Sequence, residues 1–181
     1  MATRRTAHEV IDLLVDAGSW QSWDTPPDQG VVSDAYAAEL AAATARSGSD
    51  ESVITGEGRV RGRRIAVLAG EFGFLAGSVG RAAGERLTRA IPQATAARIP
   101  LLAATASGGT RMQEGTPALV GMAMITAALV AHRRARLPYL VYLRDPTVGG
   151  VMASWGSLGH VTAAEPGALV GFLGPRVYKA I

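Results

Sequence analysis

A parallel β-sheet with helices packed outside it, preceded by a helical arm, is the α/β fold this sequence predicts. An apolar run, a glycine-bearing loop and a helical segment follow one another three times after Ile99, the order in which parallel βα units are laid down. With 48% hydrophobic and 18% charged residues over 181 positions, the chain buries one substantial core, which excludes a disordered or fibrous protein. Gly (22) and Ala are abundant while aromatics reach only 6%, which suits close-packed helices and tight loops rather than a base-stacking surface.

The elements follow in order. Thr6 with Glu9 forms a capping box ahead of Val10, Ile11, Leu13 and Leu14 at helical spacing, and Gly18 closes that helix. Trp20 and Trp23 come next, then Asp24-Thr25-Pro26-Pro27, which fits neither a helix nor an inner strand. Asp34 caps an Ala-rich helix to about Arg46, and Ser47 to Asp50 is a linker. Residues 1–50 read as an arm that packs on the body or on a partner, and 51–181 as the body. There, 52–71 predicts a β-hairpin turning at Arg61-Gly62, with Ile65 to Ala69 as its buried strand. A helix over about 80–97 leads to a strand over 99–105, the tight loop Ser107-Gly108-Gly109, and a helix over 113–135 with Pro117 in its first turns. A strand over 139–143, a loop over 145–150 and a helix over 151–160 form the next unit. The last has a strand over 168–172, a loop over 173–175 and a helix that opens at Arg176 and is cut off at Ile181, as in the front part of a longer fold.

Composition also excludes function classes. Without Cys there is no disulfide framework, thiolate catalysis, iron–sulfur cluster or Cys-based zinc ribbon. The arginines at Arg4 and Arg5 precede no apolar run, so no signal peptide is expected, and no uncharged run of 18 apolar residues predicts a membrane span. A cytoplasmic location follows as the expectation. Charge is uneven: residues 1–51 carry nine acids and three arginines, and residues 52–181 six acids and fifteen basic residues. The basic residues lie singly or in small groups, such as Arg61, Arg63 and Arg64, which argues against nucleic acid and leaves two readings, a ligand with a few phosphates or arginines that only solubilise the surface.

Ser107-Gly108-Gly109 is the strongest local signal for chemistry. Two successive glycines between a strand and a helix let adjacent N–H groups reach one spot, and such a pair can hold the oxyanion of an enolate; a plain tight turn uses the same residues. Asp145-Pro146-Thr147-Val148-Gly149-Gly150 repeats the device one unit later. His8, His132 and His160 form no metal-ligand spacing, so no metal is expected. Glu114 and Glu165 are candidate general bases, although a Glu in a first helical turn commonly serves the helix dipole. Ser78, Asp145 and His160 occur in hydrolase order, but the residues around Ser78 lack the first glycine of a nucleophile elbow. No Walker A or G-x-G-x-x-G pattern occurs.

Gly73 to Gly80 (GFLAGSVG), Ser107 to Gly115 (SGGTRMQEG), Leu137-Pro138-Tyr139, Asp145 to Val151 (DPTVGGV), Ala164-Glu165-Pro166 and Gly171 to Val177 (GFLGPRV) follow in an order that resembles the biotin-dependent acyl-CoA carboxylases. The likeness is to the carboxyltransferase β subunit, or N-terminal half, of the acetyl-CoA carboxylase type, and it covers about residues 52–178. Ser19 to Trp23 also looks like the arm of these proteins. The resemblance implies a crotonase-like superhelix of ββα units and an enzyme that moves a carboxyl group from carboxybiotin, borne on a carrier protein, to the α-carbon of an acyl-CoA. With acetyl-CoA this leads to malonyl-CoA and fatty-acid synthesis. It implies that Gly108 and Gly109 hold the thioester oxygen, while Ser107, Arg111, Gly149 and Gly150 shape the CoA and acyl pocket. Implied partners are acyl-CoA, the biotin carboxyl carrier protein, and an α subunit or C-terminal half, within an oligomer. Bacterial relatives that open with a four-Cys zinc ribbon differ from this Cys-free chain. Two alternatives stay open: a malonate-decarboxylase-type β subunit, and a non-catalytic acyl-CoA-binding or assembly module.

Overall fold

The computed structural model describes residues 4–172. A single sheet organises them. Strands β2 (Val53–Val60) and β3 (Arg63–Gly70) form the expected antiparallel hairpin, with Val60 opposite Arg63 across the Arg61-Gly62 turn. Both turn residues take positive φ, 51° and 79°, the geometry that matches the twist of a two-residue hairpin. From β3 the sheet runs parallel through β4 (Leu101–Ser107) and β5 (Tyr139–Val148). β6 (Val161–Ala164) pairs with the first half of β5 and β7 (Val170–Gly171) with its second half. β1 (Gln21–Ser22), from the arm, adds an antiparallel edge beside β2.

β3 is covered on both faces: Ala66, Val67, Leu68 and Ala69 have no exposed surface. Alternation sends Ala66 and Leu68 towards α3 (Arg81–Ala96) and α4 (Thr116–Arg134), where they join Leu87, Ile91, Ile125 and Leu129. Val67 and Ala69 meet Ile54, Ile65 and the Ala7 and Ile11 face of α1 (Ala7–Leu14). Each fully buried Leu or Ile contributes about 1.5–3 kcal/mol of hydrophobic stabilisation. The alanines at 66, 69, 103, 104 and 106, all fully buried, keep the sheet thin where helices and loops press on it.

The arm is fastened to the body by charge as well as by β1. Arg86, buried on α3, donates to the Asp50 carboxylate at 2.7 Å and to the carbonyls of Val53 and Thr25 at 3.0 Å. Asp24 accepts from both the amide and the hydroxyl of Thr55. At the other end Arg4 lies over the Phe72 ring and pairs with Asp145 at 3.0 Å, while the Ala7 amide donates to Glu71. Acids of the arm thus neutralise several arginines of the body.

Several elements differ from the sequence reading. α1 carries the Thr6–Glu9 capping box but stops at Leu14 rather than Gly18, because Val15 turns extended and its side chain packs beside Ile11. The cap of α2 (Asp34–Ser47) is Ser33, whose hydroxyl accepts from the Tyr36 amide; Asp34 is the first helical residue. β5 continues through the expected loop to Val148 because β7 pairs with its end. α5 (Gly149–Ala153) is half the expected length, ending where Ser154 leaves helical geometry and Trp155 turns into the core. β6 has no alternating pattern and all four residues are exposed, so only pairing with β5 marks it as a strand. The loop at 173–175 and the helix at Arg176 lie outside the described residues.

α4 is long and apolar enough by length and composition alone to cross a membrane, a test that a helix packed on a protein core also passes. It packs Ala118, Met122, Ile125 and Leu129 into the core and leaves Leu119, Val120 and Met124 on its outer face more than half exposed.

His132, on the last turn of α4, is fully buried, with Thr95 Oγ1 2.8 Å from Nδ1 and the Pro138 carbonyl 3.3 Å from Nε2. Burial lowers its pKa below the usual imidazole value of 6.5, offset in part by the Pro138 carbonyl. A depressed folded pKa gives stability that is complete above the unfolded value and is lost as pH falls through the mid-6 range and below. The melting temperature is expected to drop over that window in wild type. A His132→Gln variant, about 1–2 kcal/mol less stable at pH 8, should show a flatter profile in the same scan.

Candidate functional site

Three loops meet beyond the carboxyl ends of β3, β4 and β5, where parallel sheets bind ligands. The first, Glu71 to Gly80, contains the 3₁₀ turn Leu75–Gly77; the second runs from Ser107 to Gly115; the third is Val148 to Gly150. The Gly108 amide donates to the Ala76 carbonyl at 2.8 Å, the Val79 amide to Gly109 at 2.9 Å and the Arg111 amide to Val79 at 3.0 Å, so the first two loops run side by side. The Ser107 hydroxyl donates to the Gly77 carbonyl. Between them lies an open cleft of about 730 Å³ lined by Leu75, Ala76, Ser78, Gly108, Thr110 and Met112. Leu75 and Ala76 hold φ of 42° and 55°, strained for residues with a Cβ, and this strain sits on the cleft wall.

The two glycine pairs touch. A Cβ on Gly109 would lie 3.2 Å from the Gly150 nitrogen and 3.3 Å from Gly149 Cα; one on Gly149 would lie 3.2 Å from the Gly108 carbonyl. Gly109 at φ 115° and Gly149 at φ 63° also occupy backbone conformations that side chains disfavour. The sequence motifs thus become one junction, backbone against backbone at Gly109 and Gly149, with the Thr110 side chain against Gly150.

The hydrogen bonds within that junction leave fewer free donors than expected. The Gly108 amide is engaged by Ala76, and the Gly109 amide donates to Ser107 Oγ at 3.0 Å, so two successive free donors are not present here. Among the described residues the Gly150 amide has no acceptor. Ser107 is buried and ties loop to loop, which leaves it no free face for a ligand.

Arg111 needs the largest correction. It is fully buried, and its guanidinium pairs with Glu51, itself fully buried, and donates to the Ser78 carbonyl at 2.7 Å. Tyr36 Oη and Glu114 each lie 3.4 Å away. Burial alone lowers an arginine pKa, but Glu51 and then Tyr36 outweigh it, so Arg111 is held above its ordinary value and charged. An arginine engaged in this way supports the loop from behind, with no exposed surface of its own for a ligand. Glu114, a candidate base, accepts from Tyr36 Oη at 2.6 Å and from the Arg81 amide at the start of α3, and so joins the arm to two loops. Burial first, and Glu114 second, raise the Tyr36 pKa. Glu51 and Tyr36 escaped sequence reading because an acid before a strand and a tyrosine in an Ala-rich helix carry no signal until Arg111 lies between them.

The hydrolase alternative fails on geometry. Ser78 Oγ donates to the Leu75 carbonyl, Asp145 binds Arg4 and the Leu169 amide, and His160 Nδ1 accepts from the Tyr139 amide. Asp145 and His160 sit near opposite ends of β5, roughly 20 Å apart at ~3.3 Å per residue. Glu165, the other candidate base, accepts from the Asp145 amide at 3.0 Å.

Comparison with known proteins decides the family, since a carboxyl transferase domain model matches residues 2–181. This chain belongs to the carboxyl transferase family. It is 62% identical over 179 residues to a probable biotin-dependent acyl-coenzyme A carboxylase beta3 subunit of Mycobacterium tuberculosis, covering 99% of this chain and 36% of that protein. It is 44% identical to the acetyl-coenzyme A carboxylase carboxyl transferase subunit beta of Opitutus terrae, covering 96% of this chain and 61% of that one. The carboxyl transferase chain therefore spans about a third to three-fifths of the curated relatives it matches. Among solved structures, transcarboxylase 12S with hydrolysed methylmalonyl-coenzyme A bound superposes with a TM-score of 0.83 at 23% identity, over 98% of this chain and 33% of that one. A Pseudomonas malonate decarboxylase hetero-dimer gives 0.76 at 22%, over 97% of this chain and 68% of that one. These likenesses show that the carboxyl transferase chain has the crotonase-like fold of such enzymes.

Breaking the buried pair tests the supporting role. Glu51→Gln leaves the Arg111 guanidinium without its countercharge and is expected to cost about 3–5 kcal/mol in denaturant unfolding. The double variant Glu51→Gln/Arg111→Met should recover a large part of that loss. Unfolding of Glu51→Gln like wild type would mean that Arg111 does not depend on Glu51 for its countercharge.

Proposed function

We propose that this chain supplies the acyl-CoA side of a biotin-dependent carboxyl transfer, acetyl-CoA being the first substrate to test. The observation that carries the reading is the contact of the Ser107-Gly108-Gly109 and Gly149-Gly150 loops beside an open cleft, in a chain of the carboxyl transferase family. When an acyl-CoA loses its α-proton, negative charge gathers on the thioester oxygen. Fixed N–H donors aimed at that oxygen lower the barrier, and each is worth roughly 10²–10³ in rate. The Gly150 amide is one donor. The Gly109 amide is the other, exchanging the Ser107 hydroxyl for the substrate oxygen. Bare glycines let the two loops approach so closely that a Cβ on Gly109 or Gly149 would meet the facing backbone, which sets where these amides lie.

Carboxybiotin, when brought by a carrier protein, would supply CO2 by cleavage of its N–carboxyl bond, and the ureido nitrogen so freed would be able to take the α-proton. An open cleft with Ala76, Ser78, Gly108 and Thr110 on its wall beside the longer Leu75, Met112 and Gln113 suits entry of an acyl thioester and a ring. Relatives named as β subunits support an assembly in which an α subunit or C-terminal half closes the cleft, and the acetyl-coenzyme A carboxylase relatives support malonyl-CoA as product. Fatty-acid synthesis in the cytoplasm is the setting we propose, in keeping with a Cys-free chain.

The test is fixation of labelled bicarbonate onto acetyl-CoA and longer acyl-CoAs by the intact carboxylase with its carrier and partner. Gly109→Ala keeps the amide N–H, but its Cβ would press on the Gly150 nitrogen 3.2 Å away; by displacing the donors it is expected to lower kcat by up to about 10²–10³ with a smaller change in KM. A substitution at exposed Val31 should leave the rate unchanged. A wild-type complex that carboxylates no acyl-CoA would overturn the reading, and decarboxylation of a carrier-bound malonyl thioester would favour the malonate-decarboxylase alternative.

A further inference from the structure

The sheet has a second concavity at the end opposite the glycine loops. Pro100 and Pro138 immediately precede β4 and β5, and the Arg61-Gly62 turn precedes β3. A pocket of about 480 Å³ opens among Val60, Ile65, Pro138 and Leu140, with Arg61, Arg63 and Arg64 around it. The eight residues of β3 at ~3.3 Å each separate it from the cleft by roughly 25 Å.

Its chemistry is of two kinds. The floor is hydrocarbon: the prolines carry no N–H, and the carbonyls of Pro100 and Pro138 already accept from Ala66 and Leu101 at 2.9 Å. The rim is cationic. Arg64 pairs with Glu57 at 2.7 Å, whereas the exposed side chains of Arg61 and Arg63 have no acceptor among the described residues. Arg81, Arg86 and Arg111, by contrast, are each matched by an acid. A mostly apolar pocket of several hundred Å³ with a few convergent polar groups is the form that small-molecule sites take. Hydrocarbon below and two uncommitted guanidinium groups above select a ligand with an apolar body and an anionic head.

We propose that this pocket binds an alkyl-chain anion, its chain against Val60, Ile65 and Leu140 and its carboxylate or phosphate head on Arg61 and Arg63. The site stands apart from the carboxyl-transfer cleft and does not rest on the reaction proposed there.

Methyl NMR titration of the intact protein tests it, with dodecanoate and dodecyl phosphate below their micelle concentrations, dodecanol as the uncharged chain and acetate as the chainless anion. Saturable shifts at Val60, Ile65 and Leu140 are expected with both dodecyl anions, and none with acetate. A preference for either anion then separates a carboxylate source from a phosphate source. Dodecanol should bind at least about tenfold more weakly. The double variant Arg61→Asn/Arg63→Gln should weaken dodecanoate by at least about tenfold and leave dodecanol unchanged; Asn tolerates the left-handed backbone at the turn. Arg63→Gln alone, outside the turn, should show part of the same loss and guards against a disturbed hairpin. Equal affinity for dodecanol and dodecanoate, indifference to both variants, or shifts confined to Leu75 and Met112 in the cleft would each overturn the proposal.

Discussion

A guanidinium cannot be taken out of water without its countercharge, and much of this molecule is arranged around that requirement at Arg111. Glu51 supplies the charge, and Ser52, the Ser78 carbonyl and Tyr36 complete the hydrogen bonds. These partners come from the start of β2, the loop after β3 and the arm helix α2. Fixing Arg111 therefore fixes three segments against the Ser107–Gly115 loop at once. The strained turn at Leu75 and Ala76 is held from the same side, because Ser78 follows it directly.

Charge distribution acquires a different meaning in the folded chain. Read along the sequence, an acidic front and a basic body point to a polyanionic ligand. In the structure Asp50 is bound to Arg86, Glu51 to Arg111 and Asp28 to Arg81, so a share of the excess is balanced between arm and body. The deeply placed Glu51–Arg111 pair ties the start of the body to the glycine loop and Arg86 fastens the arm through Asp24 and Asp50, whereas the exposed Arg81–Asp28 pair contributes little. What remains uncommitted includes Arg61 and Arg63, at the far end of the sheet from the glycine loops.

The glycine motifs were legible because they say something about the backbone. SGG and GG after apolar runs predict close approach, and Gly109 and Gly149 meet with their Cα atoms nearly in contact. Which amide is free was not legible. The Gly109 amide is turned to Ser107 and the Gly108 amide to Ala76, and those choices depend on a neighbouring loop some thirty residues away. The resemblance carried Arg111 towards the substrate, whereas its burial takes it behind the loop.

The sequence alone determined the hairpin, the βα succession, the capping box at Thr6 and the position of the glycine loops at strand ends. These are local matters: hydrophobic period, turn chemistry and capping act within a few residues. Tertiary structure decided that β6 is a strand, that α5 ends early, that the arm's acids and the body's arginines find one another, and which amides of the glycine loops already have an acceptor. Such outcomes depend on which atoms are left without a partner after every other segment has packed, because a buried polar group takes whichever neighbour the whole fold brings to it.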